Sequence, residues 1–153
     1  MANLDKLAAA QSQKLLSVIG KPIRQGCVKS TDADNLCTKA LGVLQENGLY
    51  ASILYLLYRS GNATSHEGMN AEQRVATQAV ADLLGLLCQD QLADFRLCMD
   101  QPVTWQQVNP RKSEIMRHMS DTVCETPLEK MLLVKGLWEQ MLIYARYGAK
   151  ASQ

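Results

Sequence analysis

The most apolar stretch of the chain runs from Lys39 to Gly61 and is divided by one polar notch, Asn47-Gly48. Leucine and alanine recur at helical spacing before the notch, and Leu, Ile and Tyr recur at helical spacing after it. Because the second segment is apolar on nearly all sides, it must be surrounded by other helices. Its length of about 13 residues is below the roughly 20 that a membrane span needs. The pattern predicts the central helix of a bundle, kinked at the notch.

A first helix and a basic segment are predicted before the central helix. Asn3 is the expected N-cap of a first helix that extends to about Ile19, where Gly20 and Pro22 end it. The polar residues of 30–32 are candidate caps for the central helix. Between these helices lies the basic segment KPIRQGCVK, which is either a solvated loop or a segment that contacts phosphate groups.

The next helix is predicted to open with a capping box formed by Asn70 and Gln73. Its apolar positions keep helical spacing, and no strong breaker precedes Pro102. The pattern therefore allows this helix to continue as far as Met99. Beyond it, Trp105 is expected to attach a connector to the bundle.

Two helices are predicted in the C-terminal third. A short helix covers about residues 112–120. The last helix opens with Thr126 as N-cap and Pro127 at the first helical position, and Gly148 closes it. No period-two alternation suggests a strand. The sequence thus predicts an all-α fold, a single-domain compact bundle of about five to six helices over residues 1–153.

The amino-acid composition favours a helical fold, and the cysteines favour a reducing cellular compartment. Aromatic residues make up only 5% of the chain and prolines number four, so the core is built mainly from aliphatic side chains and Met. The five cysteines form no CxxC pair, which predicts neither a zinc site nor a disulfide framework. Cys37 and Cys88 fall in apolar helical stretches and are expected to be buried thiols. Five free thiols, with no signal peptide recognised, predict a cytoplasmic protein.

The residues that enzymes use are not arranged in any recognisable site. The sequence has no P-loop, GxSxG, HExxH or Rossmann glycine pattern. Its two histidines, His66 and His118, are far apart and are expected at the surface. Since nothing nominates an acid, a base or a metal ligand set, we expect no catalytic residue, no metal and no cofactor.

The central stretch, LCTKALGVLQENGLYASILYLLYRSG, resembles the small helical subunit (Cas11-like) of type III-B (Cmr) CRISPR effector complexes. The shared signature is a helix, a notch of Glu46-Asn47-Gly48-Leu49, and an apolar helix. The terminal segment MLLVKGLWEQMLIYARYGAKA is similar to the family's last helix. It departs from that helix after Trp138, where Glu139 and Gln140 replace two basic residues. The small subunits of Csm and D-type systems remain alternatives.

This resemblance implies a non-catalytic protein. Copies of such a subunit stack beside the backbone and large subunits of the complex, and they line the groove in which guide RNA pairs with target RNA. The implied partners are these two RNAs, the other subunits and neighbouring copies. Base pairing supplies sequence specificity, so the subunit needs only positive charge facing the phosphate backbone.

The net charge is only +1, so such a surface requires segregated charge. At about 100° per residue, three basic residues of the last helix share one edge of its apolar face, with Glu139 in the same sector. A second basic group surrounds the first two helices. Together they are the expected RNA-backbone contacts: Lys14, Lys21, Arg24, Lys39, Lys135, Arg146 and Lys150. A third cluster, Arg111, Lys112 and Arg117, is more consistent with a solvated face.

Two other functions fit the sequence. One is a generic helical adaptor that binds protein and has no nucleic-acid role. The other is a small thiol enzyme that uses Cys27, which lies in the basic segment where a thiolate is stabilised.

Overall fold

The computed structural model describes residues 3–153, and they form an all-α fold, as predicted. Within these residues the only β-type pairing is an isolated bridge between Pro22 and Cys27. Shorter 3₁₀ and π-helical segments connect the main helices. The five α-helices are α1 (Leu4–Leu16), α2 (Ser30–Arg59), α3 (Ala71–Leu86), α4 (Lys112–His118) and α5 (Leu128–Ala151).

The predicted kink lies in α2 at Gly48, whose φ of 90° and ψ of −172° belong to a region that only glycine adopts readily. Glu72 shows how sharply the helix bends. The Glu72 carboxylate is 3.5 Å from the Arg59 guanidinium, and Glu72 and Lys39 both line one depression on the surface. In a straight helix Lys39 and Arg59 would be about 30 Å apart, too far for one side chain to reach both. The segment after Gly48 therefore turns back toward the first half.

One hydrophobic core joins the helices, because α5 packs against α1 and α2, and α3 packs against α1 and α2. Its side chains are mainly Leu, Ala, Val and Met, as the composition predicts. Trp138 is a completely buried member of this core. None of the helices formed by residues 3–153 has the length and apolar character that a membrane crossing requires.

The N-terminal predictions hold for the Asn3 cap but not for the length of the first helix or for the cap of the central helix. Residues 30–32 already belong to α2, whose N-cap is Lys29, and the Asp32 side chain accepts a hydrogen bond from the Lys29 amide at 2.9 Å. The Asn3 side chain accepts a hydrogen bond from the Lys6 amide at 3.0 Å, so Asn3 is the N-cap. Helix α1 ends at Leu16, three residues earlier than predicted, because the chain tightens into consecutive three-residue turns. Val18 is still buried and Ile19 still packs against the core, which explains why the apolar pattern extended further than the helix.

The predicted capping box of α3 is confirmed, but the predicted continuation of this helix to Met99 is wrong. Asn70 and Gln73 exchange hydrogen bonds of 2.9 Å between side chains and amides. The helix ends at Leu86, and a 3₁₀ helix over Asp90–Phe95 follows. The apolar spacing persisted because Leu92 and Leu97 are buried in this different conformation.

The prediction of five free thiols is also wrong. Cys88 and Cys98 form a disulfide, and both residues are exposed rather than buried in a helix. Cys37 is buried as predicted, and burial with the nearby Asp34 carboxylate raises the pKa of its thiol to about 12. Cys27 and Cys124 are free. The pairing could not be read from the sequence because it depends on the turn that ends α3.

Helix α5 starts and ends later than predicted. Pro127 is its N-cap, and the Thr126 hydroxyl instead donates to the Thr122 carbonyl at 3.2 Å. Gly148 does not close the helix, which continues to Ala151. A Cβ at position 148 would lie 2.3 Å from a methyl group of Leu16, so this glycine permits close packing of α1 on α5.

Candidate nucleic-acid interface

Three of the four basic residues of α5, here the α5 stripe (Lys135, Arg146 and Lys150), turn toward α2. Arg146 Nε is 3.8 Å from one carboxylate oxygen of Asp34, and Lys150 Nζ is 3.9 Å from the other. The side chain of Asp34 is only 16% exposed, so its charge is poorly shielded by water. One carboxylate of α2 therefore holds two cations of α5.

Lys135 lies further toward the N-terminus of α5 and has its own acidic neighbour. Its Nζ is 3.9 Å from a Glu139 oxygen and donates to the Gln45 carbonyl at 3.5 Å. Gln45 directly precedes the notch of α2. The α5 stripe thus shares one side of its helix, as predicted, but each of its cations faces a carboxylate.

The basic segment between α1 and α2 folds into a short hairpin. The Gly20 amide donates to the Val28 carbonyl at 2.7 Å, and the Val28 amide donates to the Lys21 carbonyl at 3.0 Å. Gly26 makes the turn with a φ of 94°. Lys21 and Arg24 are exposed on this hairpin. The segment is therefore an ordered projection on the surface.

The hairpin is attached next to the start of α3, where Lys39 of α2 also lies. The Arg24 amide donates to the Met69 carbonyl at 2.8 Å, two residues before α3. Lys39 lines a shallow depression of about 190 Å³ with Asp32 and Glu72, and Glu72 is in the first turn of α3. We call Lys21, Arg24 and Lys39 the hairpin cluster. Among the described residues, none of the three has a carboxylate within 4 Å.

Lys14, the remaining predicted contact, is exposed in the last turn of α1. Its positive charge influences the pKa of a buried carboxylate, that of Asp82. Burial raises the pKa of Asp82 to about 6, while hydrogen bonds from Gln78 and the positive charges of Lys14 and Arg74 oppose this shift. Asp82 itself is only 6% exposed. Lys14 is thus free of a close ion pair but lies in the field of one buried carboxylate.

A row of hydrogen-bonded polar side chains on α3 was not predicted from the sequence. Arg74 donates to Gln78 at 3.0 Å, and Gln78 donates to both oxygens of Asp82 at 3.1 and 3.2 Å. The Arg74 guanidinium lies 3.7 Å from the centre of the Trp105 ring, which attaches the connector as expected. Burial lowers the pKa of Arg74 to about 10. The i, i+4, i+8 spacing of these three polar residues is the sequence pattern from which their alignment on one face of α3 could have been predicted.

In the third basic cluster, two of the three residues stabilise loops. Arg111 pairs with Glu114 and donates to the Pro102 carbonyl at 2.9 Å. Lys112 donates to the Gly61 carbonyl. Arg117 is exposed. These contacts give Arg111 and Lys112 structural roles.

The early part of α5 is more exposed than its apolar pattern suggested. Leu128 and Leu132 are apolar, yet their exposed fractions are 67% and 56%. A groove of about 300 Å³ opens beside them between α1 and α5. We call this feature the apolar groove; it is lined by Leu4, Asp5, Leu132, Leu133, Gly136, Leu137 and Gln140.

Neither histidine belongs to a metal-binding group, since the part of the chain that the structure describes has no cluster of three or more potential His, Cys, Asp or Glu ligands. His118 is half-buried rather than at the surface, and its Nε2 is 2.6 Å from the Leu97 carbonyl oxygen. Comparison of the chain with protein-family models, with curated proteins and with solved structures found no match.

Proposed function

We propose that this protein is a non-catalytic small subunit of a type III CRISPR ribonucleoprotein effector complex, of the III-B (Cmr) kind, and that it works in the cytoplasm. Several copies stack along the paired guide and target RNA and contact its phosphate backbone. The observation that carries this proposal is the hairpin cluster, which presents three exposed cations without a close carboxylate. The notch at Gly48, where the resemblance is strongest, supports it by bringing Lys39 beside the start of α3.

The two basic regions have unequal roles in this proposal. Lys21, Arg24 and Lys39 are available to phosphates without breaking an ion pair. The α5 stripe must exchange Asp34 and Glu139 for phosphate, and Lys14 contributes a more distant positive charge. Each phosphate contact adds about 0.9 to the slope of log affinity against log salt on a duplex. Because one copy makes few contacts, useful affinity comes from several linked copies on one duplex.

Two measurements test the proposal. Titration of the purified chain into a labelled RNA duplex at about 50 and about 200 mM salt should give weak binding that falls with salt, with a slope near −3. Purification from the native host should recover short RNAs and larger subunits in assemblies of regularly increasing size. Recovery only as an RNA-free monomer, together with no duplex binding at low salt, would contradict the proposal.

The apolar groove favours a second candidate, a helical adaptor that binds protein without RNA. Leu128 and Leu132 expose apolar surface beside a concave feature, which is the arrangement that receives an apolar helix of a partner. Replacing Leu132 by Asp separates the two functions. The adaptor would lose its protein partner, whereas duplex binding by the isolated chain would keep its affinity and its salt slope.

A further inference from the structure

The Cys88–Cys98 disulfide closes a small surface loop at the end of α3. Cys88 follows the last residues of that helix, and the loop contains the 3₁₀ helix Asp90–Phe95 and Arg96, whose φ is 56°. Both cysteines are exposed, and ten positions separate them. The bond therefore ties together a local segment and crosses no interface between the main helices.

Other contacts hold this loop from inside. Leu92 and Leu97 are each only 1% exposed, and the Leu97 carbonyl is 2.6 Å from His118 Nε2. The Lys130 ammonium lies 5.1 Å from the centre of the Phe95 ring. These contacts attach the middle of the loop to α4 and α5. Without the covalent bond, the loop ends would be free to separate while the helical core remains packed.

The chain keeps one exposed free thiol in addition to this disulfide. Cys27 is exposed and free, and an exposed free thiol exchanges with accessible disulfides. Exposed disulfides are also the labile ones, whereas structural disulfides resist reduction. This combination fits a disulfide that forms and breaks during the life of the protein.

A depression of about 390 Å³ is lined in part by Cys98 and gives a small molecule access to that cysteine. Its charged and titratable lining residues are Arg96, Arg117 and His118 on the basic side and Asp100, Glu114 and Asp121 on the acidic side. Charges of both signs suit a thiol that carries an ammonium and carboxylates, and cations close to a leaving thiolate stabilise it. Arg96 and Arg117 make no ion pair within 4 Å among the residues described.

We propose that Cys88–Cys98 is a reversible redox latch, opened by a small zwitterionic thiol of the glutathione class, that controls whether the 88–98 loop is closed. The thiolate of the first small molecule attacks one sulfur, forms a mixed disulfide and releases the other cysteine as a thiolate. A second thiol attacks the mixed disulfide and leaves as the symmetrical small-molecule disulfide. Two electrons pass to the protein, whose two cysteine thiolates take up protons from water. The proposal does not depend on the RNA-binding role.

The test uses the full chain, purified without reductant and then treated with reduced glutathione under native conditions. Alkylation and mass spectrometry should show Cys88 and Cys98 changing from protected to reactive, and oxidised glutathione should reverse the change. Cleavage by trypsin after Arg96 should accelerate about tenfold or more on reduction. Cleavage after Arg24, in the hairpin, should not change, and the helical circular dichroism should be retained.

Two variants complete the test. Cys27→Ser keeps the latch and removes the exposed thiol, so its response to glutathione should match that of the wild type. Cys88→Ser/Cys98→Ser should be cleaved after Arg96 as fast as the chemically reduced wild type, with or without glutathione. If this variant does not fold, the chemically reduced wild type supplies the same comparison. Resistance of the native disulfide to glutathione, unchanged cleavage after full reduction, or loss of the whole helical signal on reduction would each overturn the proposal.

Discussion

The α5 stripe and the hairpin cluster each contain three basic residues, yet their surroundings differ. Arg146 and Lys150 converge on Asp34, and Lys135 lies beside Glu139. The members of the hairpin cluster have no carboxylate within 4 Å among the residues described. A phosphate group must therefore compete with a carboxylate at the first region but not at the second. The availability of a basic residue to a phosphate group thus depends on which residues lie near it in space.

The difference is a matter of degree, because the ion pairs of the α5 stripe are weak. Their separations of 3.8 to 3.9 Å exceed hydrogen-bond distances, and the side chains of Arg146 and Lys150 are 35% and 46% exposed. Ion pairs with this exposure contribute about 0–1 kcal/mol each. The stripe can therefore join a polyanion when several copies present it together, after the hairpin cluster has made the first contacts.

The largest expected effect comes from removing the hairpin cluster. Lys21→Ala/Arg24→Ala/Lys39→Ala should lower affinity for an RNA duplex about 100-fold at low salt and reduce the salt slope by about 3, because three phosphate contacts are lost. Fluorescence anisotropy at several salt concentrations measures both quantities. All three side chains are exposed, so the melting temperature serves as the folding control. Unchanged affinity in a folded variant would remove the hairpin cluster from the interface.

The carboxylate near Lys14 gives a test of stability against pH. Burial favours the neutral form of Asp82, whose pKa is raised from 3.8 to about 6. Its contribution to stability is therefore full below about pH 4 and is lost as the pH rises through about 6. Asp82→Asn keeps an acceptor for Gln78 and should raise the free energy of unfolding by about 2 kcal/mol at pH 7 to 8.

Urea unfolding of Asp82→Asn and wild type across this pH range measures the difference, which should disappear near pH 4. The matched control is Asp90→Asn, because Asp90 is exposed in the 3₁₀ helix. Equal stability of Asp82→Asn and wild type at pH 8 would mean that Lys14 and Arg74 fully offset the cost of burying the charge.

A smaller effect is expected from releasing the α5 stripe. Asp34→Asn removes the charge that Arg146 and Lys150 share, so affinity for the RNA duplex should rise about fivefold and the salt slope should increase by about 1 to 2. The same anisotropy measurement detects this change. Glu46→Gln, at an exposed position of α2, is the control for the loss of one negative charge. An equal gain in the control would mean that only net charge matters.

The smallest effect is expected when the α5 stripe itself is removed. Lys135→Ala/Arg146→Ala/Lys150→Ala should lower the affinity of a single copy about threefold, because each cation is already partly neutralised. In the Asp34→Asn background the same triple change should have a clearly larger effect. A loss of affinity as great as that of the hairpin triple variant would mean that the ion pairs of the α5 stripe do not limit its contact with phosphate groups.

Local signals predicted much of the fold correctly. The Asn3 cap, the break at Gly48 and the Asn70–Gln73 capping box each depend on residues close together in sequence, and all three are present. Errors arose where a distant contact overrides the local preference. Gly148 was expected to end the last helix, but it lies inside α5, where Leu16 packs closely against it.

The sequence by itself determined an all-helical chain, the position of its sharpest bend and which residues carry positive charge, because backbone propensity, capping and periodicity act over a few residues. Only the tertiary structure decided that Asp34 faces Arg146 and Lys150, that Cys88 meets Cys98 and that Leu132 borders a groove. Those outcomes depend on how the helices pack and where the chain turns. Packing and turns bring together residues whose proximity no local pattern encodes.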